Sequence, residues 1–431
     1  MDFKNSSTDL INFINEATSP FHVVKTSASL LENAGFEKLD ITKEWNLKKG
    51  NAYYTTPYDS VLFAFKIPDN LENSDFRIAA AHTDHPCLRI KPVAEMYEGN
   101  YLRIDTAIYG GPILNTWLDR PLSIAGKVAL KSDDVFHPNT RLVDFKRPLL
   151  TIPNLAIHLS RDVNKGLELN KQKDMIPLAG IVNEELNKKN YFINFLAKEL
   201  GVKPDEILDF DLYIYNAEQG QIIGMNEEFI SSPRLDNLTS VYACVKGIIN
   251  SCRESGINVI ALFDNEEIGS LTKQGADSNL LTIVLDKIYE SFNFNQSYFY
   301  ESIMRSFLLS VDVGHCLHPN KPEKNDPVNK NILNDGFLIK IDSNYKYTSD
   351  AESIGVIQQI CIANNIKYQK FINRSDIPGG STLGAMAAGK LPMNGADVGI
   401  PLLAMHSARE LMGVNDQESL NSLIQSFFVI K

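Results

Sequence analysis

The chain contains 431 residues, 44% of them hydrophobic and 22% charged, with a formal net charge of −11. That length exceeds one ordinary hydrophobic core and predicts two domains. An acidic balance with scattered basic residues argues against a nucleic-acid partner, and no apolar run approaches the length of a membrane span.

The N-terminus lacks a basic segment followed by an apolar one, so no secretory signal is expected and the cytoplasm is the default compartment. Two amphipathic helices come first, with Leu10, Ile11, Phe13 and Ile14 on one apolar face and Val23, Val24, Leu30 and Leu31 on the other. A short apolar strand, Phe76 to Ala81, then runs into His82-Thr83-Asp84. From roughly Val93 to Ser232 the pattern is β-rich and irregular, with strands expected over 101–108, 122–130 and 211–215 and one helix near 191–200. After Pro233 strand and helix alternate to the C-terminus. The run Val259 to Phe263 reads as a buried strand followed by Glu266 and Glu267, Phe307 to Val311 leads into Asp312, and Val398 to Met405 leads into His406. Asp236 precedes a helix-like stretch from Thr239 to Asn250.

Open α/β sheets bind ligands beyond the carboxyl ends of their strands, so these endings would converge on one cleft. Two imidazoles and three carboxylates form the ligand list of a two-metal site suited to zinc, with cobalt or manganese as alternatives. Of two adjacent glutamates at a strand end, one can bind metal while the other faces water as a base. Taken singly, Asp236 reads as a helix N-cap, the glutamate pair as a solvated turn and Asp84 as a turn residue before Pro86. Together they point to the metal site. His82 lies before the β-rich block and the other ligands after it, so the block is an insertion, 93–232, into a catalytic domain formed by 1–92 and 233–431.

Several strings resemble the aspartyl aminopeptidases, a family of di-zinc metallopeptidases that remove an N-terminal residue. They include Ser19 to His22, Ala81 to Pro92, Gly110 to Arg120, Ile152 to His158, Asp264 to Ser270, His318 to Asn320 and Met405 to Glu410. The resemblance implies an α/β fold in which an α/β/α metallopeptidase domain with a mixed sheet is interrupted by a β-rich domain. It implies two zinc ions per subunit, His82 and Glu267 as terminal ligands of one, Asp312 and His406 of the other, and Asp236 bridging. Glu266 would be the general base, and Asp84 would fix the His82 tautomer from behind.

The same resemblance implies peptide substrates, homodimers formed through the insertion, and a tetrahedral homododecamer. His158 would reach a neighbouring subunit's site, although the apolar run around it reads equally as burying a histidine. Lys340 and Tyr347 would meet the substrate's first residue. Gly380 and Ser381, in the segment Asp376 to Gly384, would offer backbone N–H groups, although the family commonly has Cys where Gly379 stands and a glycine pair is also an ordinary turn. An N-terminal Asp or Glu is the expected preference. Two rivals remain on the same fold: another di-zinc exopeptidase or N-acyl amino-acid deacylase, and a catalytically silent scaffold.

The other histidines carry less. His22 and His137 read as structural or exposed, His315 and His318 as hydrogen-bonded wall residues, and His85 has no assigned role. Five cysteines, odd in number and without a CxxC pair, argue against a disulfide framework or thiolate zinc and read as packing residues.

Overall fold

The computed structural model describes residues 3–181 and 190–430, so the stretch 182–189 of the expected insertion lies outside the described residues. The chain divides into two compact units: residues 1–84, 220–405 and 410–431 form the first, and 85–219 with 406–409 the second. The first break falls earlier than the boundary read from sequence because the strand Cys87–Glu98 pairs within the second unit's sheet, and the second because Gln221–Ile223 and Phe229–Ser232 pair with each other and with Glu410–Gly413 in the first unit.

The first unit is built on a nine-stranded sheet. Its centre runs Ile257–Phe263, Phe76–His82, Phe307–Val311, Asn394–Gly399, all parallel, with antiparallel neighbours Leu62–Lys66 on one side and Phe337–Ile341 on the other. The sheet is therefore mixed. Alternate residues of its central strands face opposite layers. Ala79, Ala81, Ile260 and Leu262 pack with helices Phe3–Glu16, Pro20–Asn33, Leu235–Ile249, Ala351–Asn364 and Val414–Val429. Ile78, Ala80, Val259, Ala261 and Phe263 pack with Leu280–Ser291, Gln296–Arg305 and Leu383–Lys390. Burial on both faces explains why these strands read as continuous apolar runs, each large side chain contributing about 1.5–3 kcal/mol.

The strand expected from Val398 to Met405 divides. Asn394–Gly399 stays in the large sheet, while Pro401–Leu403 joins a separate five-stranded sheet with Gln221–Ile223, Phe229–Ser232, Glu410–Gly413 and Gly314–His315. Pro401 has no N–H to continue a ladder, which suits it to the first position of the new strand.

The second unit is a six-stranded antiparallel sheet in the order Asn139–Asp144, Leu122–Leu130, Ile207–Asn216, Cys87–Glu98, Tyr101–Tyr109, Leu178–Ile181. The helix Tyr191–Leu200 covers it, and Phe195 stacks on Phe145 with ring centroids 5.1 Å apart. No helix among the described residues is long and apolar enough to cross a membrane.

Candidate metal centre

Register brings the site together. Phe263 pairs with His82 across the parallel strands Ile257–Phe263 and Phe76–His82, so the turns that follow them leave the sheet side by side. Asp84 uses this directly: its two carboxylate oxygens accept the backbone N–H groups of Glu266 and Glu267, each at 3.1 Å. These are charge-assisted bonds inside the protein, each worth about 1.5–3 kcal/mol. The His82 Nδ1 lies 3.0 Å from the Asp84 backbone carbonyl and 3.4 Å from its carboxylate, which leaves Nε2 for the cleft.

That Nε2 stands 3.5 Å from Asp236 Oδ1, 3.5 Å from Asp312 Oδ1 and 4.0 Å from Glu266 Oε2. Asp236 occupies the entrance of the helix Leu235–Ile249, where its own torsions are non-helical and the Asp236–Asn237 peptide is cis. Its N–H donates to Glu410 Oε2 at 3.0 Å, and the Asn237 amide donates to the Val311 carbonyl at 3.0 Å, next to Asp312. Gly399 packs so closely on Asp312 that a Cβ there would lie 1.6 Å from the Asp312 carbonyl oxygen. Lys340, 2% exposed, places its ammonium 3.3 Å from the other Asp312 oxygen.

Electrostatics follow this crowding. Burial opposes the charge on His82, yet the Asp236, Asp312 and Asp84 carboxylates hold it well above the ordinary imidazole range. Glu266 is raised to about 8 by burial, an effect that His82 opposes and the Asp312, Asp84 and Asp236 carboxylates reinforce. Asp312 is lowered despite burial, by Lys340 and then His82. Such a pocket carries more carboxylate than its cations balance.

The donors fit zinc. Ligand atoms on a tetrahedron around zinc are about 3.3–3.4 Å apart, and the 3.5 Å separations of His82 from Asp236 and Asp312 match that edge. Potential ligand atoms of His82, Asp236 and Asp312 lie within 4.8 Å of one another, as do those of His82, Glu266 and Glu267. His82 is thus grouped both with Glu267, the partner that the resemblance implied, and with Asp312, which it approaches to 3.5 Å because parallel pairing sets the strands ending at His82 and Val311 side by side.

His406 belongs to the second unit. It follows Pro401–Leu403 with a left-handed φ of 65°, and its Nδ1 lies 3.1 Å from the Gly111 carbonyl. His158 is exposed, between exposed Leu155, Ile157 and Leu159, so the reading of a buried histidine does not hold. Tyr347 is buried, with the Lys340 ammonium 5.2 Å from its ring centroid. Gly380 and Ser381 are exposed, and Gly380 does not adopt positive φ.

His22 is buried against the Ser19 hydroxyl at 2.8 Å, His137 is exposed on Asp134, His85 is buried in the second unit, and His318 Nδ1 accepts the Asn320 N–H at 3.2 Å. Cys87, Cys244, Cys316 and Cys361 are buried as expected of packing residues; Cys252 is exposed. Glu410, which anchors Asp236, went unassigned as an individual residue. Its one sequence signal is its place in the string Met405 to Glu410, since a glutamate there otherwise reads as a surface charge.

The family model for Aminopeptidase I zinc metalloprotease (M18) matches residues 13–428. The chain belongs to the M18 aminopeptidase family, and is a zinc metallo-aminopeptidase acting on peptides. It is 45% identical over 424 residues to a probable M18 family aminopeptidase 2 of Clostridium novyi (strain NT), covering 98% of each chain. A chain in the cryo-EM structure of the Ape4 and Nbr1 complex matches with a TM-score of 0.95 at 34% identity, covering 99% of this chain and 86% of that one. The S. cerevisiae mApe1 dodecamer matches with a TM-score of 0.85 at 26% identity, covering 99% of this chain and 97% of that one.

Proposed function

We propose that this M18 enzyme releases an N-terminal Asp or Glu from peptides, with Glu266 as general base and two zinc ions per subunit. His82 and Asp312 would hold one ion, Glu267 and His406 the other, and Asp236 would serve both. Zinc held there supplies Lewis acidity toward water and the scissile carbonyl, and a charge that attracts the free α-amine. Glu266 takes a proton from the attacking water and passes it to the leaving amine. Asp84 holds the Glu266 and Glu267 backbone in place, so that the base and the adjacent ligand point to different tasks.

The observation that carries this reading is the crowding of Asp236, Asp312 and Glu266 around the buried His82 Nε2. A scaffold has no need of such carboxylate density. Lys340 supports the acidic preference: it is a buried ammonium beside the ligand set, and with Tyr347 it would meet the substrate's first residue, while Gly380 and Ser381 would offer backbone donors. Dimerisation through the second unit is supported by exposed Leu155, Ile157 and Leu159 beside His158, and a homododecamer by the dodecameric S. cerevisiae relative. His158 would then act in a neighbour's site.

The test is release of free amino acid from a short peptide with N-terminal Asp, abolished by a chelator and restored by zinc. Hydrolysis of an N-acylated amino acid with none of free-amine peptides would instead identify a deacylase. A chelator-insensitive, inert protein would be a scaffold.

A further inference from the structure

Beside Lys340 and Tyr347 the site wall is organised around one amide. Asn373 directly follows the strand Tyr368–Ile372. Its Oδ1 lies 3.0 Å from His315 Nε2, and its Nδ2 lies 3.5 Å from the Tyr347 hydroxyl. His315 also stands edge-on to Phe371, with ring centroids 4.9 Å apart at 82°. Gly379 leaves the amide its space: a Cβ there would fall 2.2 Å from Asn373 Nδ2. The Lys346 ammonium binds the Gly379 carbonyl and so ties the same loop to the segment carrying Tyr347. A continuous chain of contacts therefore runs from Asp312 through Lys340, Tyr347 and Asn373 to His315.

We propose that Asn373 is a positioning residue for the substrate's first side chain, acting through His315. Its carbonyl oxygen accepts the Nε2 proton, which fixes the imidazole in one tautomer and leaves Nδ1 as a hydrogen-bond acceptor. Its amide nitrogen faces the Tyr347 hydroxyl, so one side chain sets two groups of the wall. His315 is exposed at its edge, and its pKa lies below the ordinary imidazole value through partial desolvation and the Lys340 charge, against the raising effect of the Asn373 contact. Without Asn373 the ring can turn, exchange tautomers and lose its register with Lys340. The inference rests on the reading that the substrate's first side chain meets Lys340.

The experiment is a double-mutant cycle on the zinc-loaded enzyme, with Asn373→Leu, His315→Ala and the double variant assayed on one peptide with N-terminal Asp. Asn373→Leu should raise KM about tenfold while kcat stays within about twofold, and the double variant should be no worse than His315→Ala alone. Unchanged KM in Asn373→Leu, or losses that multiply in the double variant, would overturn the role. Asn373→Ala, which adds no volume, replaces Asn373→Leu if thermal unfolding shows that variant to be misfolded. A wild-type enzyme inactive on every free-amine peptide refutes the function itself, whereas an active wild type with multiplicative losses refutes only the role of Asn373.

Discussion

The Lys340 ammonium lies 3.3 Å from the Asp312 carboxylate, and neither group is solvated as a surface pair would be. Lys340 therefore already balances one carboxylate of the metal centre before any substrate arrives. Its pKa is raised, since Asp312 and further neighbours outweigh the opposing effect of burial, so the cation persists through the neutral range. Lys340→Leu should lower kcat/KM for N-terminal Asp and Glu by roughly tenfold or more relative to Leu or Ala. A panel of first residues on one short peptide reads this. Equal losses on Asp and Leu would assign Lys340 to Asp312 alone.

Asp84 offers a separate test, because its carboxylate binds the backbone of both glutamates rather than only steadying His82. Asp84→Asn turns one acceptor oxygen into a donor facing an N–H. Turnover should fall about 10–100-fold, the usual scale for groups behind metal ligands, with thermal stability also reduced. Wild-type kcat with wild-type zinc content, measured by elemental analysis, would show that the two N–H contacts are dispensable.

The adjacent glutamates should separate by metal content. Glu266→Gln keeps the polar shape but cannot accept a proton, so zinc should stay bound while kcat drops by about two orders of magnitude or more. Glu267→Gln should lose zinc as well as activity. A zinc-poor Glu266→Gln beside a fully loaded Glu267→Gln would exchange the two roles.

Much of this was legible in the chain because strand ends announce themselves: the apolar runs before His82, Glu266 and Asp312 are buried on both faces and so read without interruption. What Asp84 binds was not legible, since it depends on the pairing of Phe263 with His82, a long-range register that local pattern does not encode. The grouping of His82 with Asp312 was hidden for the same reason. The segment Val398 to Met405 looked like one strand because its hydrophobicity is continuous, whereas the backbone changes sheets near Pro401. His158 shows the converse: its apolar neighbours left burial and a role in a neighbouring subunit equally open, but Leu155, Ile157 and Leu159 are all exposed.

That outward face leads to a test of assembly. If His158 completes a neighbour's site, His158→Ala and Glu266→Gln are each inactive for different reasons, and a hybrid dimer of the two contains one complete site. Mixed and reassembled subunits should regain up to about a quarter of wild-type activity, from random pairing with one good site in two. Native mass spectrometry confirms the hybrids, and hybrids without recovered activity would place the function of His158 within its own subunit.

Asp416 gives a prediction about stability rather than catalysis. Its buried carboxylate accepts the N–H groups of Asn334 at 2.8 Å and Gly336 at 2.9 Å, linking the start of the last helix to the loop before Phe337–Ile341. Burial raises its pKa from 3.8 to about 7, against the lowering effect of those backbone donors. A carboxyl with a raised native pKa holds its proton more tightly when folded, so its stabilising contribution is complete below the unfolded value and is lost as pH climbs through about 7. Asp416→Asn resembles the protonated form and carries no such dependence. Between about pH 5 and about pH 8 the stability difference should move toward the Asn variant, by on the order of 2 kcal/mol. Urea midpoints at the two pH values measure it. A difference that stays constant would mean that the Asn334 and Gly336 donors outweigh burial and keep the carboxylate ionised throughout that range.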